Sequence, residues 1–268
     1  MSDRIDDYEL IRPLGTGASA SVWEARGPTG PVALKKLHQS APLGAEQRRR
    51  LEREARVLNR IDHRCVVKVL DFGVHDDSPY LVMELLEGRT LTDVLARGPS
   101  IRDGLHLARS VIEGLAAVHR MGIVHRDVKP DNVLVTEEGV KLVDFGLVKF
   151  MDAEEWGQHS AITAANVQVG TPAYMAPEIC FGEVADFRSD VYSVGIVLFE
   201  CVTLQLPFEG DSRVAWVRHH ATTVPPAAST LRPGISKKLD AILAMALQKE
   251  RARRYADATE LADALIHV

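Results

Sequence analysis

Three features in the first sixty residues carry the chemistry of a phosphate clamp. Gly15 and Gly17, in LGTGASASV (14–22), permit a tight turn and a close approach of backbone N–H groups to an anion. Lys35, in PVALKKL (31–37), shares one strand face with Ala33, while Val32 and Leu34 take the other and Lys36 turns to water. Leu51, Glu54, Leu58 and Ile61 follow at spacings of three, four and three and form one helical stripe, which puts the Glu54 carboxylate on the inward face. A buried carboxylate needs a cation or donors, and Lys35 is the candidate partner. Each feature alone has a plainer reading. A G-x-G pair is usually a hairpin turn, a lysine stem often runs over apolar surface, and Glu54 at the rim of its stripe would reach water. Together they describe a clamp better than any one does. No Walker A pattern is present, and the segment after the glycines is strand-like, which argues against a Rossmann fingerprint.

A second concentration of polar groups lies at GIVHRDVKPDNVLV (122–135), with His125, Arg126, Asp127, Lys129, Asp131 and Asn132 between apolar β-branched stretches. A surface loop carries such a set at little cost. A loop wedged between buried strands does so only if the groups are paired or employed.

The elements that must position these groups are legible as pattern. YELIRPLG (8–15), SVWEA (21–25) and PVALKKL (31–37) read as short strands separated by glycine turns. GAEQRRRLEREARVLNRI (44–61) has helical period, and VVKVLDFGV (66–74) and PYLVMELL (79–86) return to strands. LHLARSVIEGLAAVHRMG (105–122) is an amphipathic helix, VLVT (133–136) and KLVDF (141–145) are short strands, and helical patterns dominate from Ile179 onward. The class is α+β, with a small β-rich part carrying one main helix, a hinge at ELLEGRTL (84–91), and a larger, mainly helical part. With 268 residues and 46% apolar content the chain can build a large core. A net charge of -5 makes it no evident nucleic-acid binder, and Cys65, Cys180 and Cys201 are too scattered for a metal site. The most apolar segment, VYSVGIVLFECV (191–202), is too short to span a bilayer and reads as a buried helix. The N-terminus lacks the apolar run of a signal peptide, so the expected location is cytoplasmic, with any membrane anchor outside this chain.

Taken in order, GTGASASV (15–22), VALK (32–35), Glu54, HRDVKPDN (125–132), DFG (144–146), GTPAYMAPE (170–178) and SDVYSVG (189–195) resemble the signature set of eukaryotic-type serine/threonine protein kinases, in feel nearest the bacterial members. The resemblance spans roughly Tyr8 to Leu265 and implies a bilobal protein-kinase-like fold, with a kinase domain over 8–268, a small lobe over 8–86 and a large lobe over 87–268. It implies transfer of the ATP γ-phosphate to Ser/Thr hydroxyls of proteins, with Mg²⁺ as the metal and Mn²⁺ as a substitute. Asp127 would be the base, Lys129 would contact the transferred phosphoryl, and Lys35 with Glu54 would hold phosphate. Asn132 and Asp144 would bind metal. Leu14, Gly15, Gly17, Val22, Ala33, Met83, Glu84, Leu86 and Leu134 would line the nucleotide, with Leu34 and Lys36 peripheral. His125 and Phe145 would be structural. Asp190 would accept backbone hydrogen bonds from the loop around Asp127, and Glu178 and Arg254 would form a buried pair.

The resemblance also implies regulation. Arg126 would grip a phosphorylated residue in the segment 144–178, with Thr163 the first candidate, Ser160 the second, and Thr171 bonding near Asp127 instead. Relatives also dimerise through the small lobe, although nothing in the sequence marks such a surface. Two departures stand out. The third glycine of the loop is Ala20, and the usual proline-asparagine after the main helix reads HRCVV (63–67). Only Ala20 leans toward the alternative, a pseudokinase that binds ATP and signals by shape. A small-molecule phosphotransferase is disfavoured by GTPAYMAPE.

Overall fold

Short apolar stretches broken by Gly and Asp turns build the first of two units in the computed structural model, which describes residues 4–17, 20–38, 45–144 and 172–268. The side chains of 45–48, 50, 51 and 54 lie outside that set. The two compact units are Met1–Glu87 and Gly88–Val268.

The first unit is a six-stranded antiparallel sheet of β1 (Arg4–Ile5), β2 (Tyr8–Thr16), β3 (Ala20–Gly27), β4 (Gly30–Leu37), β5 (Val69–His75) and β6 (Ser78–Glu84). Their order is β1-β2-β3-β4-β6-β5. Helix α1 (Ala45–Leu58) follows β4 and packs on β5. Asp76 and Asp77, at φ 48° and 58°, turn β5 into β6. A two-residue hairpin needs left-handed backbone at both positions to match the strand twist, and Asp tolerates it better than most residues.

One face of this sheet holds a core of Ile5, Tyr8, Ala25, Val32, Leu34, Tyr80 and Val82. Leu34 is 0% exposed in this core, on the face opposite Lys35. Alternation says which side chains share a face but not what covers it. Here Ile5 and two tyrosines cover it. The Tyr80 hydroxyl donates to Asp6 Oδ2 at 2.7 Å and the Tyr8 hydroxyl to Asp71 Oδ2 at 2.8 Å, which fixes both rings.

The second unit has a three-stranded sheet, β7 (Arg89–Thr90), β8 (Val133–Thr136) and β9 (Gly139–Leu142), in the order β7-β8-β9. Its helices are α2 (Leu91–Leu95), α3 (Ile101–Arg120), α4 (Pro177–Cys180), α5 (Phe187–Thr203), α6 (Arg213–Thr222), α7 (Ala228–Leu231), α8 (Lys237–Ala246) and α9 (Ala258–Leu265). Thr90, Ser100, Asp186, Ser212, Ser236 and Asp257 accept from first-turn N–H groups and so start six of them. Helix α5 is apolar nearly all round and lies at the centre, with α3 packed along it. The close approach requires Gly104, because a Cβ there would overlap the carbonyl oxygen of Cys201. No described helix is long and apolar enough to cross a membrane.

Candidate active site

In the first unit the strand register gathers several of the predicted residues. Val22 lies opposite Lys35, and Ala33 lies opposite Met83. Directly opposed residues present their side chains to the same face, so these four share one, opposite the Leu34 core. Lys35 and Ala33 are each 8% exposed and Met83 is 6% exposed. Gly15 pairs with Val22 in the neighbouring strand. Leu14 is largely exposed and Leu86 half-buried. Glu84 is bound to Lys68 through both its backbone N–H and its carboxylate, at 3.0 and 2.9 Å. Glu54 lies on α1, but its side chain is outside the described residues.

Among the described residues, no close contact requires glycine at the first turn. A Cβ at Gly15 would meet nothing within 4 Å, and one at Gly17 would meet only the Ala20 oxygen at 3.8 Å. Neither has a positive φ. Ala20 keeps the turn closed, since its carbonyl accepts the Gly17 N–H at 2.8 Å, and its own φ is not left-handed.

In the second unit Asp127, Lys129 and Asn132 come together. Lys129 Nζ lies 3.0 Å from Asp127 Oδ2. The Asn132 amide donates to the same oxygen at 2.9 Å and to the Asp127 carbonyl at 2.8 Å. Pro130–Asn132 forms a short 3₁₀ turn that brings the two ends of this loop together. The Val143 N–H donates to the Asn132 carbonyl at 3.0 Å, tying the loop to the chain just before half-buried Asp144. Leu134 sits in β8 opposite Thr90. With its NH₂ turned to Asp127, Asn132 has Oδ1 as its acceptor end. That oxygen and the Asp144 carboxylate are the hard donors a Mg²⁺ ion takes, so the residues fit the metal that the resemblance implies. Asp131 has a different task, accepting from the Thr92 hydroxyl of α2 at 2.9 Å.

The loop hangs from Asp190. Its Oδ2 accepts from the His125 N–H at 2.6 Å and its Oδ1 from the Arg126 N–H at 2.8 Å. These bonds hold Arg126 at φ 67°, a left-handed conformation that costs a non-glycine residue on the order of 1–3 kcal/mol. The His119 imidazole also meets this carboxylate, Nε2 lying 3.0 Å from Asp190 Oδ2, and it belongs to none of the motifs above. The available signal was an imidazole at the end of the apolar stripe of α3.

Glu178 and Arg254 form a two-pronged pair at 2.7 and 2.8 Å, with side chains 5% and 0% exposed. Burial alone would raise the Glu178 carboxyl, but hydrogen bonds from Arg254 and Ser189 outweigh it and hold the group below the usual carboxylate range. Phe145, Ser160, Thr163 and Thr171 lie outside the described residues.

Residues 8–266 match the protein kinase domain family. Serine/threonine-protein kinase pkn2 of Myxococcus xanthus is 36% identical over 267 residues, which cover 96% of this chain and 32% of that protein. Serine/threonine-protein kinase PknL of Mycobacterium tuberculosis is 43% identical over 232 residues, covering 85% of this chain and 56% of the relative. The chain thus spans between about a third and just over half of these relatives' lengths. The crystal structure of the Mycobacterium tuberculosis PknI kinase domain, C20A mutant, superposes with a TM-score of 0.76 at 28% identity, covering 99% of this chain and 97% of that one. The chain belongs to the protein kinase domain family, has its α+β kinase fold, and is similar to bacterial serine/threonine kinases.

Proposed function

We propose that this domain transfers the γ-phosphoryl group of ATP to Ser or Thr hydroxyls of proteins. The observation that carries the reading is the Asp127–Lys129–Asn132 constellation, a carboxylate fixed at one oxygen by an ammonium and an amide. Asp127 orients the acceptor hydroxyl and takes its proton as the oxygen bonds to phosphorus and ADP leaves. Lys129 steadies the transferred group. Asn132 and Asp144 hold Mg²⁺, which when bound offsets the negative charge of the phosphates. In the first unit, the open turn at Gly15 and Gly17 brings backbone N–H groups to phosphate. Lys35 binds phosphate with Glu54 as its partner, and Val22, Ala33 and Met83, on the Lys35 face, bound the adenine with Leu14, Glu84 and Leu86.

The same reading extends to control. Thr163, or Ser160 next, is phosphorylated by the kinase itself and pairs with Arg126. Incubation with Mg-ATP and a generic basic protein should yield phosphoserine or phosphothreonine, and mass spectrometry should find phosphate on Thr163 or Ser160. ATP binding without transfer across a substrate panel would replace this proposal with the pseudokinase reading. Full activity with neither residue modified would refute the switch alone.

A further inference from the structure

We propose that the Lys249 amine is a modification site that takes an acyl group from a small acyl phosphate. Its setting is built from α5, α6 and the stretch between them. Lys249 Nζ donates to the His219 carbonyl of α6 at 3.1 Å and to the Tyr192 hydroxyl oxygen of α5 at 3.3 Å. It lies 4.4 Å from the centroid of the Phe208 ring. Two hydrogens satisfy both bonds, so the neutral amine keeps its partners and gains a free lone pair. The side chain is half-buried, neither sealed in the core nor fully in water.

The surroundings favour that neutral form. The Tyr192 ring carries two cations, the Lys249 ammonium at 5.6 Å from its centroid and the Arg254 guanidinium at 4.9 Å. Glu178 neutralises Arg254, whereas among the described residues no carboxylate pairs with Lys249. The remaining titratable neighbours supply no negative charge at pH 8. Burial raises the Tyr192 hydroxyl and pushes the Cys180 thiol of α4 up to about 11. His220 is brought by burial down to about 4, and His219 stacks on the Phe208 ring. Burial first, and Arg254 second, bring Lys249 from 10.5 to about 8. At pH 8 about half of such amines are neutral, against under about 1% of ordinary lysines.

In the transfer the nitrogen lone pair attacks the acyl carbon and forms the C–N bond. The bond from that carbon to the phosphate oxygen breaks, and inorganic phosphate leaves with the electron pair and one amine proton. The product is an amide with a single N–H. It holds one of the two acceptors and offers no cation to Phe208, so acylation loosens the tie between α6 and α5. The step uses neither ATP nor the groups around Asp127.

The test incubates the whole domain with acetyl phosphate at pH 8 and follows the initial acetylation rate at each lysine by peptide mass spectrometry. The reference is Lys238, which is exposed and donates to the His267 carbonyl at 3.4 Å. Lower basicity and half-burial offset part of the gain in neutral amine, so Lys249 should react at least about fivefold faster than Lys238. Its rate should level off above about pH 9, and in guanidinium the preference should vanish. Lys249→Arg, which keeps a cation, should remove the fast site and leave labelling of Lys238 unchanged. Four results each overturn the proposal: a Lys249 rate equal to or below that of Lys238, a rate still climbing about tenfold per pH unit to pH 10, a preference that survives unfolding, or a fast site that persists in Lys249→Arg.

Discussion

The Glu178–Arg254 pair gives the most exacting stability prediction. Arg254→Met removes a guanidinium that makes both bonds to Glu178 and also donates to the carbonyls of Gln248, Arg188 and Lys249, at 2.7, 3.0 and 3.0 Å. It also lies over the Tyr192 ring, 4.9 Å from its centroid. What stays behind is a buried carboxylate with the Ser189 hydroxyl as its remaining side-chain donor in the structure, at 2.6 Å. Breaking a pair of this kind costs about 3–5 kcal/mol, and the three orphaned carbonyls place Arg254→Met at the upper end. Glu178→Gln, which keeps shape and an acceptor, should cost less. The double variant Glu178→Leu/Arg254→Met should be more stable than the sum of its singles predicts, by at least about 1 kcal/mol, because no charge is left unmatched. Guanidinium denaturation followed by circular dichroism, with the slope held in common, gives each number. The pH dependence has a fixed sign. The folded Glu178 carboxyl lies below its ordinary value of 4.5, so its contribution is present above that value and is lost as pH falls through the folded pKa. A loss below about 1 kcal/mol for Arg254→Met, or strict additivity in the cycle, would refute the reasoning.

Three more expectations follow from other parts of the molecule. Burial first, and the Lys249 ammonium second, bring His220 from 6.5 to about 4. Between those values the unfolded chain binds a proton that the folded chain does not. Stability should therefore fall by up to about 3 kcal/mol from pH 6.5 to pH 4, and His220→Asn should flatten that slope in urea melts; equal slopes would contradict the assignment. Gly104→Ala forces α3 and α5 apart and should cost about 3 kcal/mol by chemical denaturation. A Cβ at Gly15, by contrast, meets nothing, so Gly15→Ala should leave stability within about 0.5 kcal/mol while weakening ATP binding by calorimetry.

The reach of the sequence was set by the range of its signals. Alternation in PVALKKL put Ala33 and Lys35 on one face, and the strand register places Val22 and Met83 there too. The same alternation could not show that Leu34 is covered. Its cover includes Tyr80, fastened to Asp6 from 74 residues away, and Ile5 in a two-residue strand too short to show a period. The polar run 122–135 was visible as a crowd. Its division of labour was only partly so, because Asp131 is explained by Thr92, 39 residues distant, and Asp190 by His119, 71 residues distant. For Glu54 the helical stripe gives the direction and strand alternation the candidate partner Lys35, while its side chain lies outside the described residues.

The central claim is that Asp127 serves as the base in transfer from ATP to a protein hydroxyl. Its direct test is radiolabelled phosphate transfer by wild type and Asp127→Asn, with ATP affinity measured in both. The Asn variant keeps the size of the side chain and an acceptor oxygen for Lys129 and Asn132, so the fold and ATP binding should persist. Transfer should drop to background in the variant while wild type labels protein on Ser or Thr. Transfer at the wild-type rate by Asp127→Asn would contradict the account.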